Sequence, residues 1–190
     1  SIVSSPSNGT LGSISGNVVT YTPNQDWNGT DTFTYKANDG TSDSNTATAT
    51  IVITPINDVP VASAVNGSGS EDGIISTTLT ATDVDDTDPA NFFIIVSQPT
   101  NSNNDDAVVI GTPIYDSGTF TAVATYTHDG SEVASDSFTY RANDGEYNSS
   151  TATATITITG INDAPVATAV SGSGAEGGTI TTTLTATDVD

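Results

Sequence analysis

Oxygen donors recur along this chain at matching positions. The string LTATDVD carries Asp83 and Asp85 and returns with Asp188 and Asp190. Asn57-Asp58 returns as Asn162-Asp163, Asp39 in YKANDG returns as Asp144 in YRANDG, and Glu71 has its counterpart in Glu176. Carboxylates, Asn amides and backbone carbonyls are what a calcium ion takes, about six to eight oxygens at roughly 2.3 to 2.6 Å. Asp and Glu outnumber Lys and Arg by 23 to 2, a formal net charge of -21 over 190 residues. Such a field repels nucleic acid and anionic membrane surfaces and favours divalent cations as counter-charge. Asp and Asn are also ordinary turn residues. On that ground Asp31, Asp136, Asp105 and Asp106 are read as turn and solvated-surface chemistry rather than as ligands.

Other chemistries fail on context. GSGAEG at residues 172–177 matches G-x-G-x-x-G literally, but the strand-like TITTTLTAT follows it, where a phosphate site needs a helix N-terminus. His128 is the single histidine and is read as a surface turn residue. Abundant Ser and Asp without a repeated His or Lys base do not assemble a nucleophilic site, so the chain is read as no enzyme. With no Cys there are no disulfides, and the one lysine, Lys36, has Arg141 as its counterpart. A repeated Lys-based isopeptide bond is therefore excluded, and both residues read as cations among carboxylates. Sequons at Asn8, Asn28, Asn66 and Asn148 leave glycosylation open.

One constant offset aligns all the recurring strings, which is the signature of a tandem array. Residues 1–57 read as the back half of one repeat, 58–162 as a complete repeat and 163–190 as the front of a third. The two ends read as cuts in something longer. Neither an initiator Met, a signal peptide nor an apolar run of about 18 residues is present.

The elements that must position these acids read as strands. TATATIVIT (46–54) and TATATITIT (151–159) alternate Thr with Ala, Ile or Val at period two, one face apolar and one polar. Phe33, Tyr35 and Ala37, and likewise Phe138, Tyr140 and Ala142, share one face and are candidate core. Further strands are expected over residues 16–23, 77–83, 91–99 and 118–128, with NDG, NGSGS and DDTDP as turns between them. The run from Pro99 to Tyr126 is longer than that from Pro6 to Tyr21, which predicts an extra hairpin within 100–118. Many short strands and no helical period indicate an all-β fold of tandem antiparallel Greek-key sandwiches, without the Cys and Trp pattern of antibody domains. Trp27 has no equivalent in the next repeat.

GNVVTYTPNQDWNGTDTFTYKANDG, a Thr/Ala/Ile strand and then PINDVPVA resemble the cadherin-like tandem repeats of large bacterial surface and biofilm proteins. The second copy, YTHDGSEVASDSFTYRANDG, is similar to the chondroitin sulfate proteoglycan-type variant of that group. The resemblance covers essentially the whole chain and implies calcium at the junctions between repeats. It matches DVD to the cadherin DxD motif, IND to the linker and AND to the Asp after the penultimate strand. One junction is then built from Asn57, Asp58, Asp83, Asp85 and Asp144, and the next from Glu71, Asn162, Asp163, Asp188 and Asp190. Glu176 would serve a junction beyond this segment and Asp39 one before it. The cadherin DRE motif is absent, with only Asp26, or Asp129 and Glu132, near its place. Each junction is therefore expected to hold fewer ions than a cadherin junction.

The resulting expectation is a non-enzymatic, extracellular, calcium-binding repeat of a stalk or fibre in a surface adhesin or biofilm-matrix protein. Its partners would be neighbouring repeats, identical chains and cell-surface or matrix components, with no nucleic acid and no membrane insertion. Two alternatives are a subunit of a self-assembling filament or sheath, and a carbohydrate-binding accessory module. The second would need an aromatic platform, for which only Trp27 and Tyr147 are available.

Overall fold

The computed structural model describes residues 1–103 and 108–190, so Asp105 and Asp106 lie outside the described residues. All regular elements among the described residues are β-strands. The chain divides into two compact units, Ser1–Asp58 and Val59–Asp190.

The first unit holds β1 (Ile2–Ser4), β2 (Gly9–Leu11), β3 (Tyr21–Pro23), β4 (Gly29–Tyr35) and β5 (Ala47–Ile53). β1, β4 and β5 form one sheet and β2 with β3 another. The expected strand over 16–23 is realised only at its end, in β3. Gly16, at φ 62, turns the chain so that Ser15 bridges Val18 instead.

The second unit holds β6 (Val61–Ala62), β7 (Val65–Ser70), β8 (Ile74–Thr82), β9 (Phe93–Ser97), β10 (Val109–Ile110), β11 (Ile114–Asp116), β12 (Thr119–Thr127), β13 (Ser135–Ala142), β14 (Ala152–Thr159), β15 (Val166–Thr168) and β16 (Thr185–Thr187). Its large sheet runs β10-β12-β8-β7-β14-β13-β9, with β11 on β12 and β6 on β8. The sheet folds over at β7, which meets β8 only through Ser68 and Ser76 but pairs with β14 over its full length. That last pairing is parallel, in an otherwise antiparallel arrangement. The short strands β10 and β11 occupy the extra length expected within 100–118, each antiparallel to β12.

Period-two alternation decides what is inside. Ala152, Ala154, Ile156 and Ile158 of β14 face in while the intervening threonines face out, and Phe138, Tyr140 and Ala142 of β13 do the same. Ile75, Leu79 and Ala81 of β8 meet them across the sandwich, with Phe92 stacked on Phe120 at a ring-centroid distance of 3.6 Å. The Tyr140 hydroxyl donates to the carbonyl of Ser63 and accepts from the amide of Thr80, tying β13 to the opposite layer.

Three expectations change in the fold. NGSGS, read as a turn, is most of β7. Its glycines are there for close approach: a Cβ on Gly69 would sit 2.5 Å from Ile75 Cγ1, and one on Gly67 2.8 Å from Ile156 Cδ1. Gly69→Ala is therefore expected to destabilise the second unit by about 1 to 3 kcal/mol through overpacking. A denaturant melt showing no loss would mean that β7 does not insert this closely.

His128 is fully buried, not on the surface. It follows Tyr126 at period two, and β12 stays paired with β8 as far as Ile74, so residue 128 is drawn under the turn at Gly73. There its amide donates to the Gly73 carbonyl at 3.1 Å and its Nδ1 accepts from the Gly130 amide at 3.2 Å. Asp31 and Asp136 are also buried rather than solvated, because both fall on the inner face with Phe33 and Phe138. Asp31 accepts from the amides of Ser7, Asn8 and Thr32 and from the Tyr21 hydroxyl. Asp136 accepts from the amides of Thr100, Asn101 and Ser137. Each staples the chain after the preceding edge strand to its sheet.

Candidate metal centre

Strand direction sorts the acids into two ends. β7 runs parallel to β14, so Ser70 finishes beside Thr159 and the next residue, Glu71, meets the segment leaving the sandwich. The Glu71 amide donates to the Thr159 carbonyl at 3.1 Å, and the Ile161 amide donates to Glu71 Oε1. β12 and β13 are joined by a loop at this same end, which brings in Glu132. Glu71, Glu132 and Asp163 each place a carboxylate oxygen within 4.8 Å of the others. Asp83, Asp85 and Asp144 lie at the opposite end, where β8 and β13 finish.

The Glu71 side chain is 1% exposed, and its Oε2 is buried with no hydrogen-bond partner among the described residues. A buried carboxylate oxygen left unpaired beside two further carboxylates is costly. Burial pushes the Glu132 carboxyl up, and Glu71, Asp190 and Asp163 push it further. Asp163 is raised by burial first and then by Asp72, Glu71, Asp190 and Asp188. Asp188 and Asp190 thus add their negative charge at Asp163. Asn162 spends its side-chain amide on the Asp163 carbonyl at 2.6 Å, as Asn57 does on that of Asp58 at 3.2 Å.

Asp83 resembles Glu71 at the other end. β8 stops at Thr82 and the chain turns, so that the amides of Asp85 and Asp86 donate to Asp83 Oδ1 at 3.1 and 3.0 Å. Its Oδ2 is buried without a partner among the described residues. Burial raises its carboxyl against those amides, and Asp85 raises it further. Asp144 caps its own turn through the amides of Glu146 and Tyr147, and Asp39 does so through the amides of Thr41 and Ser42. The Thr41 hydroxyl and these amides bring Asp39 down to about 2. Glu176 is exposed and belongs to neither cluster's described geometry. Glu132 and Asp72 are the residues that the sequence pattern did not put in the ligand set. Glu132 stood near the place of the absent DRE motif, which was its one signal.

These shifts have a sign. Glu132 and Asp163 hold protons to higher pH folded than unfolded, so the folded chain binds more protons just above ordinary carboxylate values. Stability there falls as pH rises. In chelator, Glu132→Gln and Asp163→Asn are expected to flatten that fall between roughly pH 4 and 6, where free carboxyls have finished titrating. Thermal melts across this window check it; an unaltered slope in both variants would separate them from the cluster. Asp39 acts oppositely, its contribution being present above its ordinary value and lost as pH falls towards about 2.

A family model described as bacterial Ig domain matches residues 1–52 and 57–158. The chain belongs to the bacterial Ig domain family. Both matched stretches of this bacterial Ig chain fit one model, and nothing in the comparisons marks the second as a chondroitin sulfate proteoglycan-type variant. No curated protein matches. Among solved structures, human CDH23 EC21-23 is similar at 21% identity and a TM-score of 0.53, over 96% of this chain and 66% of that one. The protocadherin GammaB4 extracellular domain is similar at 19% identity and a TM-score of 0.51, over 100% of this chain and 34% of that one. Both show a cadherin-like β-sandwich fold. An endo-fucoidan hydrolase of glycoside hydrolase family 107 matches at 18% identity, over 85% of this chain and 23% of that one, with a TM-score of 0.37 that carries no argument.

Proposed function

We propose that this bacterial Ig chain is a calcium-binding, non-enzymatic segment of an extracellular stalk or fibre in a surface adhesin or matrix protein. The repeat boundaries fall at the Asn-Asp-x-Pro strings. The observation that carries the reading is the buried Glu71 carboxylate, whose Oε2 has no hydrogen-bond partner among the described residues while Glu132 and Asp163 converge on it. The donor set is all hard oxygen, which suits calcium and offers nothing to a soft metal. Glu71, Glu132 and Asp163 would hold the ion, with Asp188 and Asp190 contributing charge. A bound calcium supplies the positive charge that these carboxylates lack.

Glu71 belongs to the sandwich, while Asp163 sits in the segment that leaves it. Joining their carboxylates ties that segment to the sandwich end. Asp83 and Asp85 offer the same chemistry at the other end, by the same repeat logic. The family and the cadherin-like neighbours support an extracellular setting, with adjacent repeats, identical chains or surface components as partners. Among the described residues no helix is long and apolar enough to cross a membrane.

Limited proteolysis tests the reading. Residues 159–165 are expected to be cut readily in chelator and protected in calcium, while the sandwich itself stays folded in both. Magnesium should protect poorly, because it demands a small octahedral shell and sheds water reluctantly. Equal cleavage with calcium and chelator would sink the proposal.

A further inference from the structure

Two of the converging carboxylates stand on separate loops. Glu71 opens the turn between β7 and β8, and Glu132 lies in the loop between β12 and β13. That second loop spends most of its amides locally or on another segment: Asp129 donates to the Asn101 carbonyl, Ser131 to Asp129 Oδ1 and Val133 to the Ser131 carbonyl. None of these bonds reaches the turn. His128 is bonded to both, through its amide on the Gly73 carbonyl at 3.1 Å and through Nδ1, which accepts from the Gly130 amide at 3.2 Å. The Asn103 side-chain amide holds the His128 carbonyl at 2.9 Å from a third side. Turn and loop approach closely here: Gly130 is at φ 79, and a Cβ on it would sit 2.3 Å from Asp72 Oδ1. The bond to Gly73 is main-chain, and any residue would make it. The bond to Gly130 needs an acceptor where Nδ1 is.

On packing grounds alone an apolar side chain would suit position 128 better. It continues the inward series Phe120, Ala122, Ala124 and Tyr126, and like them it is buried. With Nδ1 accepting, the ring proton sits on Nε2, which is buried with no hydrogen-bond partner among the described residues. An orphaned buried donor is a cost to the fold. Asp129 Oδ1, 3.9 Å from Nδ1, is too distant for a hydrogen bond and takes the Ser131 amide instead. Among the described residues, the one hydrogen bond of the imidazole is therefore the one that fastens Gly130, on the short run of loop that leads to Glu132.

We propose that His128 is a positioning residue of the candidate metal centre: its Nδ1 fastens the loop of Glu132 against the turn of Glu71, so that the two carboxylates face one ion. It acts through Gly130 and Gly73 and is not itself a ligand. The inference rests on the calcium reading of this cluster and adds to it the residue that sets the spacing of the donors. Without the acceptor, the loop keeps its local bonds but loses its fastening to the turn. Repulsion between the carboxylates then drives Glu132 away from Glu71, and the ion loses one of its ligands.

Two substitutions separate the acceptor from the packing. His128→Asn places a carboxamide oxygen where Nδ1 was but leaves a void, while His128→Leu fills the space and offers no acceptor. In calorimetric titration His128→Leu is expected to bind calcium about 10- to 100-fold more weakly than the parent chain, the usual loss when support behind a metal ligand is removed. His128→Asn should stay close to the parent. A role in packing alone gives the opposite order, since the asparagine substitution leaves the larger cavity. In chelator, NMR titration of the Glu132 carboxyl, raised by burial and by Glu71, should show it falling back in His128→Leu and staying raised in His128→Asn. Should His128→Leu fail to fold, His128→Gln takes its place with the same expectation, because its carboxamide extends past the Nδ1 position to that of Nε2. Equal calcium affinity in His128→Leu and the parent, equal losses in the leucine and asparagine variants, or an unmoved Glu132 carboxyl in His128→Leu would each overturn the proposal. A parent chain that takes up no calcium would remove the calcium reading, and this inference with it.

Discussion

Phe138→Ala is expected to cost the second unit about 3 to 5 kcal/mol, the range for deleting a fully buried aromatic ring. Phe138 is 1% exposed and faces the interior from β13, directly opposite Ala154 of β14. Ala154 is too small to expand into the void, and Tyr140 next to it is held by Ser63 and Thr80 across the sandwich. The cavity would therefore collapse little. Against a total stability of roughly 5 to 15 kcal/mol for a domain, that loss unfolds a large fraction of the unit. Phe33→Ala in the first unit should cost less, since Phe33 already borders an open cleft. Denaturant melts of both variants check the pair. A loss below about 1 kcal/mol for Phe138→Ala would mean that the strand register is wrong, because a surface truncation costs no more than that.

Glu71→Gln is expected to invert the response of the second unit to calcium. In chelator the substitution removes one of three converging carboxylates and gives the buried side chain an amide that can donate to Glu132 or Asp163. The variant should then melt above the parent chain. In calcium the parent should gain about 2.7 kcal/mol per site at a hundredfold excess over the dissociation constant, and the variant far less. The two melting curves should cross as calcium is added. Calorimetric titration and thermal melts read this together; a full calcium gain in Glu71→Gln would remove Glu71 from the site. Buried carboxylate clusters without cations are a standing cost to a fold, and a change of sign between the two conditions separates a ligand from a merely strained acid.

The acids also show how far pattern alone reaches. Asp83 and Asp85 are two apart at a strand end, and the turn their spacing called for is present, made by the Asp85 and Asp86 amides on Asp83. Asp163 and Glu71, chosen from recurrence and resemblance, come within 4.8 Å of one another, and Asp188 and Asp190 are among the charges that raise Asp163. Glu132 does not recur, and its place at the cluster depends on where the loop between β12 and β13 returns. His128 misled for a related reason. Its neighbours are turn formers, and nothing local reveals that β12 stays paired long enough to bury it.

By itself the sequence determined the repeat, the all-β class and the inward faces of β13 and β14, while Tyr35 and Ala37, read as core beside Phe33, are exposed. These follow from local rules: side chains alternate at period two, and a recurring string at a fixed offset repeats its environment. It also determined that the chain is a polyanion in which Asp, Glu and Asn side chains recur at matching positions. Tertiary structure alone decided which acids are buried together and why NGSGS is a strand. Those outcomes depend on the parallel pairing of β7 with β14, a contact between residues distant along the chain. It sets Glu71 beside the segment leaving the sandwich and demands glycine between two layers.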